Sequence, residues 1–176
     1  MKNTYITLII IAVMISLFSS CSTIPKGVKA VSPFKQEKYL GKWYEIARFD
    51  FKFERGLNNT TAEYSQRNDG KIKVLNRGYD YENQKWKEAE GKAKFVSNDT
   101  TAMLKVSFFG PFYSGYNVIA IDSEYKYALV CGESFDYLWI LSREKSIPNN
   151  IKEEYVAKAE KLGFNTSNLL WIEHNK

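Results

Sequence analysis

YLGKWYEIAR, residues 39–48, is the most informative stretch of this chain, because it opens a long series of short strands. In this stretch Gly41 stands two residues before Trp43, and a matching stretch, WILSR at residues 139–143, closes the series. Aromatic and β-branched runs separated by turn residues fill the interval, a pattern typical of antiparallel strands. The chain is therefore predicted to form a closed barrel, and a barrel of about eight strands can enclose one small apolar ligand.

Eight strands are predicted in this interval, and the hairpin signal is sharpest at the turn NDG, residues 68–70. The predicted fold class is all-β, an antiparallel up-and-down barrel of eight strands. These strands cover residues 43–51, 60–66, 71–76, 85–96, 101–109, 113–121, 125–131 and 137–142.

Beyond Pro148 the apolar residues recur at helical spacing, and Gly163 marks the end of this pattern. One C-terminal α-helix is therefore predicted, packed outside the barrel. A short final strand is predicted over residues 169–172. The apolar face of the helix consists of Ile151, Tyr155, Val156, Ala159 and Leu162.

The N terminus has the layout of an export signal. Lys2 precedes an apolar run over 5–18 that is too short to span a bilayer comfortably, and small residues lead up to Cys21. This layout resembles a bacterial lipoprotein signal, in which the cysteine becomes the first mature residue and is acylated. Phe18 departs from that signal, which usually has an aliphatic residue there. An ordinary cleavable signal or an uncleaved anchor is the alternative interpretation.

Three segments are predicted from these patterns. Residues 1–20 are a lipoprotein signal peptide, residues 21–35 a tether and spacer, and residues 36–176 the barrel domain. Acyl chains on Cys21 would attach the protein to a membrane without a transmembrane helix. Ser22 follows the cysteine, and in Gram-negative bacteria a residue other than aspartate there implies release to the outer membrane. The predicted location is therefore the cell envelope, on the periplasmic side of the outer membrane.

The charged and titratable residues exclude several functions. Basic residues are interleaved with acidic ones, so the stripe that a nucleic-acid groove needs is missing. Cys131 lies in an apolar run and is interpreted as a strand residue with a free thiol. His174, the only histidine, stands near the C terminus and is expected to be solvated and idle. No catalytic residue, metal site or cofactor is predicted.

The motifs together resemble the lipocalin family: Gly41 and Trp43 on the first strand, Asp122 with Tyr125 in the turn after the sixth, and Arg143 after the eighth. The resemblance implies a barrel closed at one end and open at the other that binds fatty acids or lysophospholipids. It is strongest to the bacterial outer-membrane lipocalins, relatives of apolipoprotein D, which are thought to handle membrane lipid under stress. The segments that carry this closer likeness are 43–50, 53–57, 104–113 and 136–143.

Alternation along each strand predicts which side chains face the lumen, because successive side chains point to opposite sides of the wall. Lysines and glutamates mark the outer set, and a shift of one residue would bury a row of charges. The later strands are apolar on both sides, so the family pattern supplies the inward set there. The predicted ligand-binding residues are Ala62, Tyr64, Ile72, Val74, Ala89, Ala93, Phe95, Leu104, Val106, Phe108, Tyr116, Val118, Val130, Tyr137 and Trp139, with Gly78, Gly91, Ala120, Ala128 and Leu141 also facing in.

Small residues in this inward set leave room that larger ones would fill, which favours a cavity. The alternative is that the aromatic residues fill the room themselves. The hydroxyls of Tyr64 and Tyr116 are candidates to receive a polar headgroup, whereas no charged partner for a carboxylate or phosphate is identifiable. Ile119 and Leu129 are expected to be apolar on the outside because the helix covers them.

Gly41, Trp43 and Arg143 are predicted to form the barrel floor. The resemblance implies that the Arg143 guanidinium lies across the Trp43 indole at the closed end, a cation–π contact. Glu45, on the same side of its strand as Trp43, is expected near the floor and paired with this residue or with a backbone group.

Three functions remain open from the sequence. The first is a membrane-tethered protein that stores or transports fatty acids or lysophospholipids for envelope maintenance. The second is a lipid-modifying enzyme on the same scaffold, for which no buried acid–base pair is identifiable. The third is a protein-interaction module whose aromatic rim docks a partner or a second copy as a homodimer. This rim comprises Phe53, Leu57, Phe109, Phe112 and Tyr113.

Overall fold

The computed structural model describes residues 23–176, so the predicted signal over 1–20 and the acylation site Cys21 lie outside the described residues. Within the described range one short helix precedes the first strand, and the other elements follow the predicted order. In chain order they are α1 (Gln36–Tyr39), β1 (Gly41–Phe49), β2 (Leu57–Gln66), β3 (Ile72–Asp80), β4 (Lys85–Phe95), β5 (Met103–Ser107), β6 (Ser114–Ile121), β7 (Tyr127–Cys131), β8 (Leu138–Ser142), α2 (Asn149–Leu162), a 3-10 turn (Thr166–Asn168) and β9 (Leu169–Trp171).

The sheet closes on itself. Strands that follow each other in the sequence pair antiparallel, and β1 pairs with β2 on one side and with β8 on the other. β9 joins the outer part of β1, where Leu169 pairs with Phe49. The predicted eight-stranded barrel, its C-terminal helix and its final strand are therefore confirmed. The β1–β2, β3–β4, β5–β6 and β7–β8 loops share one end, which is called the open end below.

The closed end is sealed by Arg143. Its guanidinium lies 3.8 Å from the centre of the Trp43 ring and donates hydrogen bonds to the carbonyls of Lys38, Leu40 and Lys42 at 2.7–2.9 Å. Gly41 has a φ of +93°, and a Cβ there would meet Arg143 Nη1 at 3.4 Å, so a larger residue would be strained. The predicted floor of Gly41, Trp43 and Arg143 is thus formed as expected.

Two apolar cores lie on the two sides of the barrel wall. The inner core fills the lumen, and the outer core lies between the wall and α2, whose Tyr155 and Ala159 are buried. Tyr155 also donates its hydroxyl to the carbonyl of Tyr127 at 2.9 Å. Ile119 and Leu129 belong to the outer core, as the sequence predicted. An apolar residue on the outer face therefore marks where the helix packs.

Register shifts in β6 and β1 change which side chains face the lumen. In β6 the register shifts between Val118 and Ala120, so Ala120 joins the outer core and Ile121 takes the inward position. The prediction that Ala120 faces in was wrong for this reason, since a bulge adds one residue and reverses the parity beyond it. In β1 the shift lies between Glu45 and Ala47, and it turns Arg48 into the barrel.

Residues 23–35, called the N-terminal arm below, lie along the barrel wall. Val31 N–H donates to the carbonyl of Val118, and Ala102 N–H donates to the carbonyl of Val31. Val28 is buried in the outer core, and Phe34 packs in the inner core next to the floor. The prediction that residues 21–35 form a free spacer is therefore wrong over the arm, because its apolar residues find partners on the barrel that the Pro and Gly pattern did not reveal.

Candidate functional site in the barrel lumen

Most of the predicted lining residues do face the lumen. Their side chains form one apolar cluster that runs from the floor towards the open end. Their role in ligand binding stays a prediction, whereas their direction is fixed by the strand register. This group comprises Ala62, Tyr64, Ile72, Val74, Ala93, Phe95, Leu104, Val106, Phe108, Tyr116, Val118, Val130 and Trp139, and Ala128 and Leu141 lie with them.

Ala89 and Tyr137 do not join this cluster. β5 is only five residues long and pairs with β4 no further than Lys92, so Ala89 has a neighbouring strand on one side and is exposed. Tyr137 precedes β8 and lies at the rim, where its ring stacks on Trp139 at 6.3 Å. Ala89 pairs with Asn76 and so lies on the inward side of its strand, as predicted. Its exposure was not predictable, because alternation does not report where a neighbouring strand ends.

The small residues leave less room than the sequence suggested. A Cβ at Gly91 would lie 2.8 Å from the ring of Phe108, so that ring already occupies the space. A Cβ at Gly78 would lie 2.9 Å from Thr60 Cγ2. Near the floor, Tyr39 packs on Trp43 and Tyr64 at ring distances of 4.9 and 5.3 Å.

Access to the lumen is therefore greatest in its outer half. Val106, Phe108 and Trp139 are inward-facing residues that keep part of their surface exposed. Two surface recesses, of about 420 and 310 Å³, lie outside the barrel, one near Arg143 and one near His174. Neither recess is lined by a predicted ligand-binding residue.

Three tyrosine hydroxyls meet in the lumen. Tyr116 Oη lies 2.6 Å from Tyr39 Oη and 2.7 Å from Tyr64 Oη. Burial raises the pKa of all three phenols, so they stay neutral. Three hydroxyls share only two hydrogen bonds, so one O–H of this group remains available for water or a ligand.

An ion-paired arginine lies above the tyrosines. Arg48 is 2% exposed, its Nη1 donates to Glu45 Oε1 at 2.7 Å, and its Nη2 donates to the carbonyls of Glu54 and Leu57 at 2.7 and 3.1 Å. Arg48 Nε has no hydrogen-bond partner, and the nearest carboxylate oxygen, Glu54 Oε2, is 3.8 Å away. Trp139 Nε1 donates to the same Glu54 oxygen at 3.2 Å. These groups form a polar cluster inside an apolar barrel.

The polar cluster contains two carboxyl groups, Glu45 and Glu54, and one positive charge, that of Arg48. Burial, and to a smaller extent the nearby charge of Glu45, raise the pKa of Glu54 to about 8, although the hydrogen bond from Trp139 and the attraction of Arg48 oppose this shift. Burial also raises the pKa of Glu45, although its ion pair with Arg48 opposes that shift. At neutral pH, Glu54 is thus protonated and can donate a hydrogen bond.

The sequence missed this cluster. Strict alternation from Trp43 puts Arg48 on the outer side of the strand, and only the bulge after Glu45 brings it in. Glu54 comes from a loop, where alternation makes no prediction. Asn76, inward-facing on β3, also has a buried Oδ1 without a partner. A charged residue within an otherwise apolar strand, IARF at residues 46–49, was the available signal.

Cys131 and His174 are the two other titratable residues that the sequence singled out. Burial raises the pKa of Cys131 to about 12, which keeps its thiol protonated. His174 is half-buried rather than solvated, because its Nε2–H donates to the carbonyl of Glu45 at 2.8 Å, and burial lowers its pKa. Over residues 23–176 no three His, Cys, Asp or Glu side chains converge as metal ligands. Within the same range no helix is long and apolar enough to cross a membrane.

A family model described as a lipocalin-like domain matches residues 34–174, which is most of the chain. The chain belongs to the lipocalin family. The lipocalin resemblance inferred from Gly41, Trp43 and Arg143 is thereby confirmed. Lipocalin barrels hold one small ligand in the lumen, so a small hydrophobic ligand is the class that this site accepts.

Bacterial lipoproteins are among the similar sequences. The outer membrane lipoprotein Blc of Citrobacter freundii is 54% identical over 159 residues, covering 89% of this chain and 90% of that protein. Its namesake in Vibrio cholerae is 51% identical over 158 residues, covering 89% and 92%. Apolipoprotein D of Rattus norvegicus is 39% identical over 123 residues, covering 65% and 64%. The two Blc relatives are named as outer membrane lipoproteins rather than enzymes, and they confirm the predicted location at the outer membrane.

Solved lipocalin structures share the fold at lower identity. Insecticyanin from the tobacco hornworm Manduca sexta superposes with a TM-score of 0.69 at 20% identity, covering 86% of this chain and 87% of that one. At this level of identity the likeness concerns the barrel alone.

Proposed function

We propose that this lipocalin is acylated on Cys21 and binds a fatty acid or a lysophospholipid, with the acyl chain in the outer half of the lumen and the anionic head at Arg48. The protein stores or carries such lipids at the outer membrane. Envelope maintenance under stress is the role that this activity fits.

The observation that carries the proposal is the buried Arg48 with a free Nε–H. A guanidinium excluded from water is costly unless its donors are used, and here the Nε–H has no acceptor and lies beside accessible apolar surface. A carboxylate or phosphate oxygen supplies an acceptor of the right charge, and charge-assisted hydrogen bonds are the stronger kind.

Two further donors support an anionic head. Protonated Glu54 can donate its O–H, and Trp139 Nε1 can turn from Glu54 to the ligand. Once Glu54 loses its proton above a pKa of about 8, its charge repels an anionic head. Affinity for such ligands is therefore expected to fall as the pH rises through 8.

The test compares palmitate with monopalmitoylglycerol, which has the same acyl chain and no charge. Removing Arg48 alone would leave the buried Glu45 carboxylate without its ion-pair partner. The variant is therefore the double substitution Glu45→Gln with Arg48→Met, which replaces the ion pair by neutral side chains of similar size. Its affinity for palmitate is expected to fall about tenfold, or about 1.4 kcal/mol, with little change for monopalmitoylglycerol. Titration followed by tryptophan fluorescence measures both.

Lipid that copurifies with the mature wild-type protein, identified by mass spectrometry, tests the ligand class directly. A folded wild-type domain that carries no lipid and ignores palmitate and lysophospholipid would contradict the proposal. Equal losses for palmitate and monopalmitoylglycerol in the double variant would remove Arg48 from headgroup recognition.

A further inference from the structure

Exposed aromatic residues surround the open end. Phe53, Phe109 and Phe112 are 66%, 67% and 78% exposed, the highest values among large apolar residues of the described chain. Phe53 lies in the β1–β2 loop, and the other two lie in the β5–β6 loop. β1 and β5 stand on opposite sides of the barrel, yet the rings of Phe53 and Phe109 are 5.9 Å apart, so this pair spans the mouth.

The N-terminal arm begins at the same end. The carbonyl of Thr23 accepts a hydrogen bond from Asn117 Nδ2 at 2.7 Å, and a Cβ at Gly115 would lie 2.1 Å from this oxygen. Gly115 is the second residue of β6 and follows Phe112 by three positions. From there the arm runs along the wall to Phe34 at the closed end. Thr23 is therefore fixed on the outer wall beside the rim.

Chain length then limits where an acyl anchor can be. Thr23 stands two positions after Cys21 in the sequence, and an extended chain advances at most about 3.6 Å per residue, so an acyl anchor on Cys21 would be tethered within about 7 Å of Thr23. A free spacer over residues 21–35 would have allowed the barrel any orientation relative to the membrane. An arm that is packed against the barrel up to Thr23 restricts that orientation.

We infer that the open end of the barrel faces the membrane, with Phe53, Phe109 and Phe112 inserted into the lipid surface beside the acylated Cys21. This inference rests on the acylation in the proposed function and adds the orientation and the docking surface. The occupant of the aromatic surface is a lipid bilayer, because the anchor, the rim and the exposed rings occupy one end of the molecule.

The physical chemistry of the surface supports this arrangement. Aromatic rings at the level of the lipid headgroups are favourable, because their apolar area leaves water. Lys52 Nζ lies 5.4 Å from the centre of the Phe53 ring and can remain among the headgroups while the ring enters. In the bilayer, lipid can replace the contact between the rings of Phe53 and Phe109, so the two rings can separate. A lipid can then pass into the lumen without crossing water.

The orientation is tested with the acylated mature protein in vesicles of phosphatidylethanolamine and phosphatidylglycerol (3:1). A nitrobenzoxadiazole label is attached to Phe112→Cys or, as the matched control at the closed end, to Val96→Cys. Cys131 is fully buried and stays unlabelled. Lipids that carry a nitroxide on their acyl chains are expected to quench the label at position 112 several-fold more than at 96. Equal quenching, or stronger quenching at 96, would overturn the inference.

The docking surface is tested by lipid uptake. The triple substitution of Phe53, Phe109 and Phe112 by Ser is expected to slow uptake of a fluorescent lysophosphatidylethanolamine from vesicles about tenfold, while leaving its affinity for the same lipid presented as monomers in water unchanged. Val96→Ser is the matched control and keeps the wild-type rate. An unchanged rate in the triple variant would contradict the inference. A photo-reactive cross-linker attached at Phe112→Cys provides a second test. Cross-links to an envelope protein or to a second copy, in place of lipid, would contradict the inference as well.

The two proposals fail separately in these experiments. The intact mass of the mature chain reports acylation, and monomer binding in water reports the ligand site. If both are as proposed and quenching is absent at position 112, only the orientation is wrong. If monomer binding is absent while position 112 is quenched, the orientation stands and the proposed ligand is wrong.

Discussion

At the scale of single residues, the closed end depends on a few side chains with several contacts each. Arg143 covers the Trp43 indole and binds the carbonyls that end α1, while Trp43 Nε1 donates to the carbonyl of Tyr39 at 2.8 Å. Trp43 is completely buried, so its removal leaves a large cavity and also exposes the guanidinium above it.

Trp43→Ala is expected to lower the free energy of unfolding by about 3–5 kcal/mol, the usual cost of truncating a buried aromatic residue. Chemical denaturation followed by circular dichroism measures this. Trp171→Ala is the matched control, because Trp171 is 42% exposed on the outer wall. A Trp43→Ala variant as stable as the parent would refute the role of Trp43 in the floor.

Residue patterns in the sequence predicted the barrel floor but did not predict the polar cluster of Arg48, Glu45 and Glu54. Gly41, Trp43 and Arg143 are identified by their spacing relative to strands, which survives small errors in strand boundaries. Arg48 depends on parity, which a single bulged residue reverses.

At the scale of elements, the strands and α2 were predictable and the N-terminal arm was not. Alternation and helical spacing are local properties of the chain, so they report strands and helices before any tertiary contact forms. The arm has neither period. Its hydrogen bonds exist only because Ala102, just before β5, and Val118 in β6 present free backbone groups there.

Val28→Asp is expected to release the arm, because it puts an unpaired carboxylate at a position that is 6% exposed, at a cost of about 2 kcal/mol. The amides of Val31 and Ala102 should then exchange with deuterium at least tenfold faster, while that of Val130 in the wall changes less. Lys29→Asp, at the exposed neighbouring position, is the control. Unchanged exchange at Val31 in the Val28 variant would show that the arm is held elsewhere.

At the scale of the whole molecule, the lumen has two parts with different tasks. Rings and the tyrosine hydroxyls fill the half near the floor, which supports the barrel. The outer half carries the accessible apolar surface and the cluster of Arg48, Glu45 and Glu54. A buried carboxyl held in its protonated form also makes the stability of the whole fold depend on pH.

The sign of that dependence follows from Glu54, whose pKa rises from 4.5 to about 8 on folding. Between these values the folded state holds a proton that the unfolded state has released, so this group lowers the free energy of unfolding as pH rises, by at most about 1.4 kcal/mol per pH unit. Glu54→Gln is expected to flatten this slope between pH 5.5 and 8. Denaturant unfolding at several pH values measures it.

Glu63→Gln is the control for this experiment, because Glu63 is an exposed carboxylate on the outer wall. His174, whose pKa is lowered by burial, contributes with the opposite sign in every variant and cancels in the comparison. Identical slopes for wild type and Glu54→Gln would mean that Glu54 is ionised in the folded protein.

The sequence alone determined the barrel, its helix, its floor and the direction of most lining residues, because periodicity and turn chemistry act over short stretches of chain. Tertiary structure alone decided three further features. The bulge in β1 put Arg48 inside, the short β5 left Ala89 exposed, and the wall captured the arm so that Thr23 lies at the rim. Each depends on where a distant strand ends or shifts register, and no local pattern in the chain carries that information.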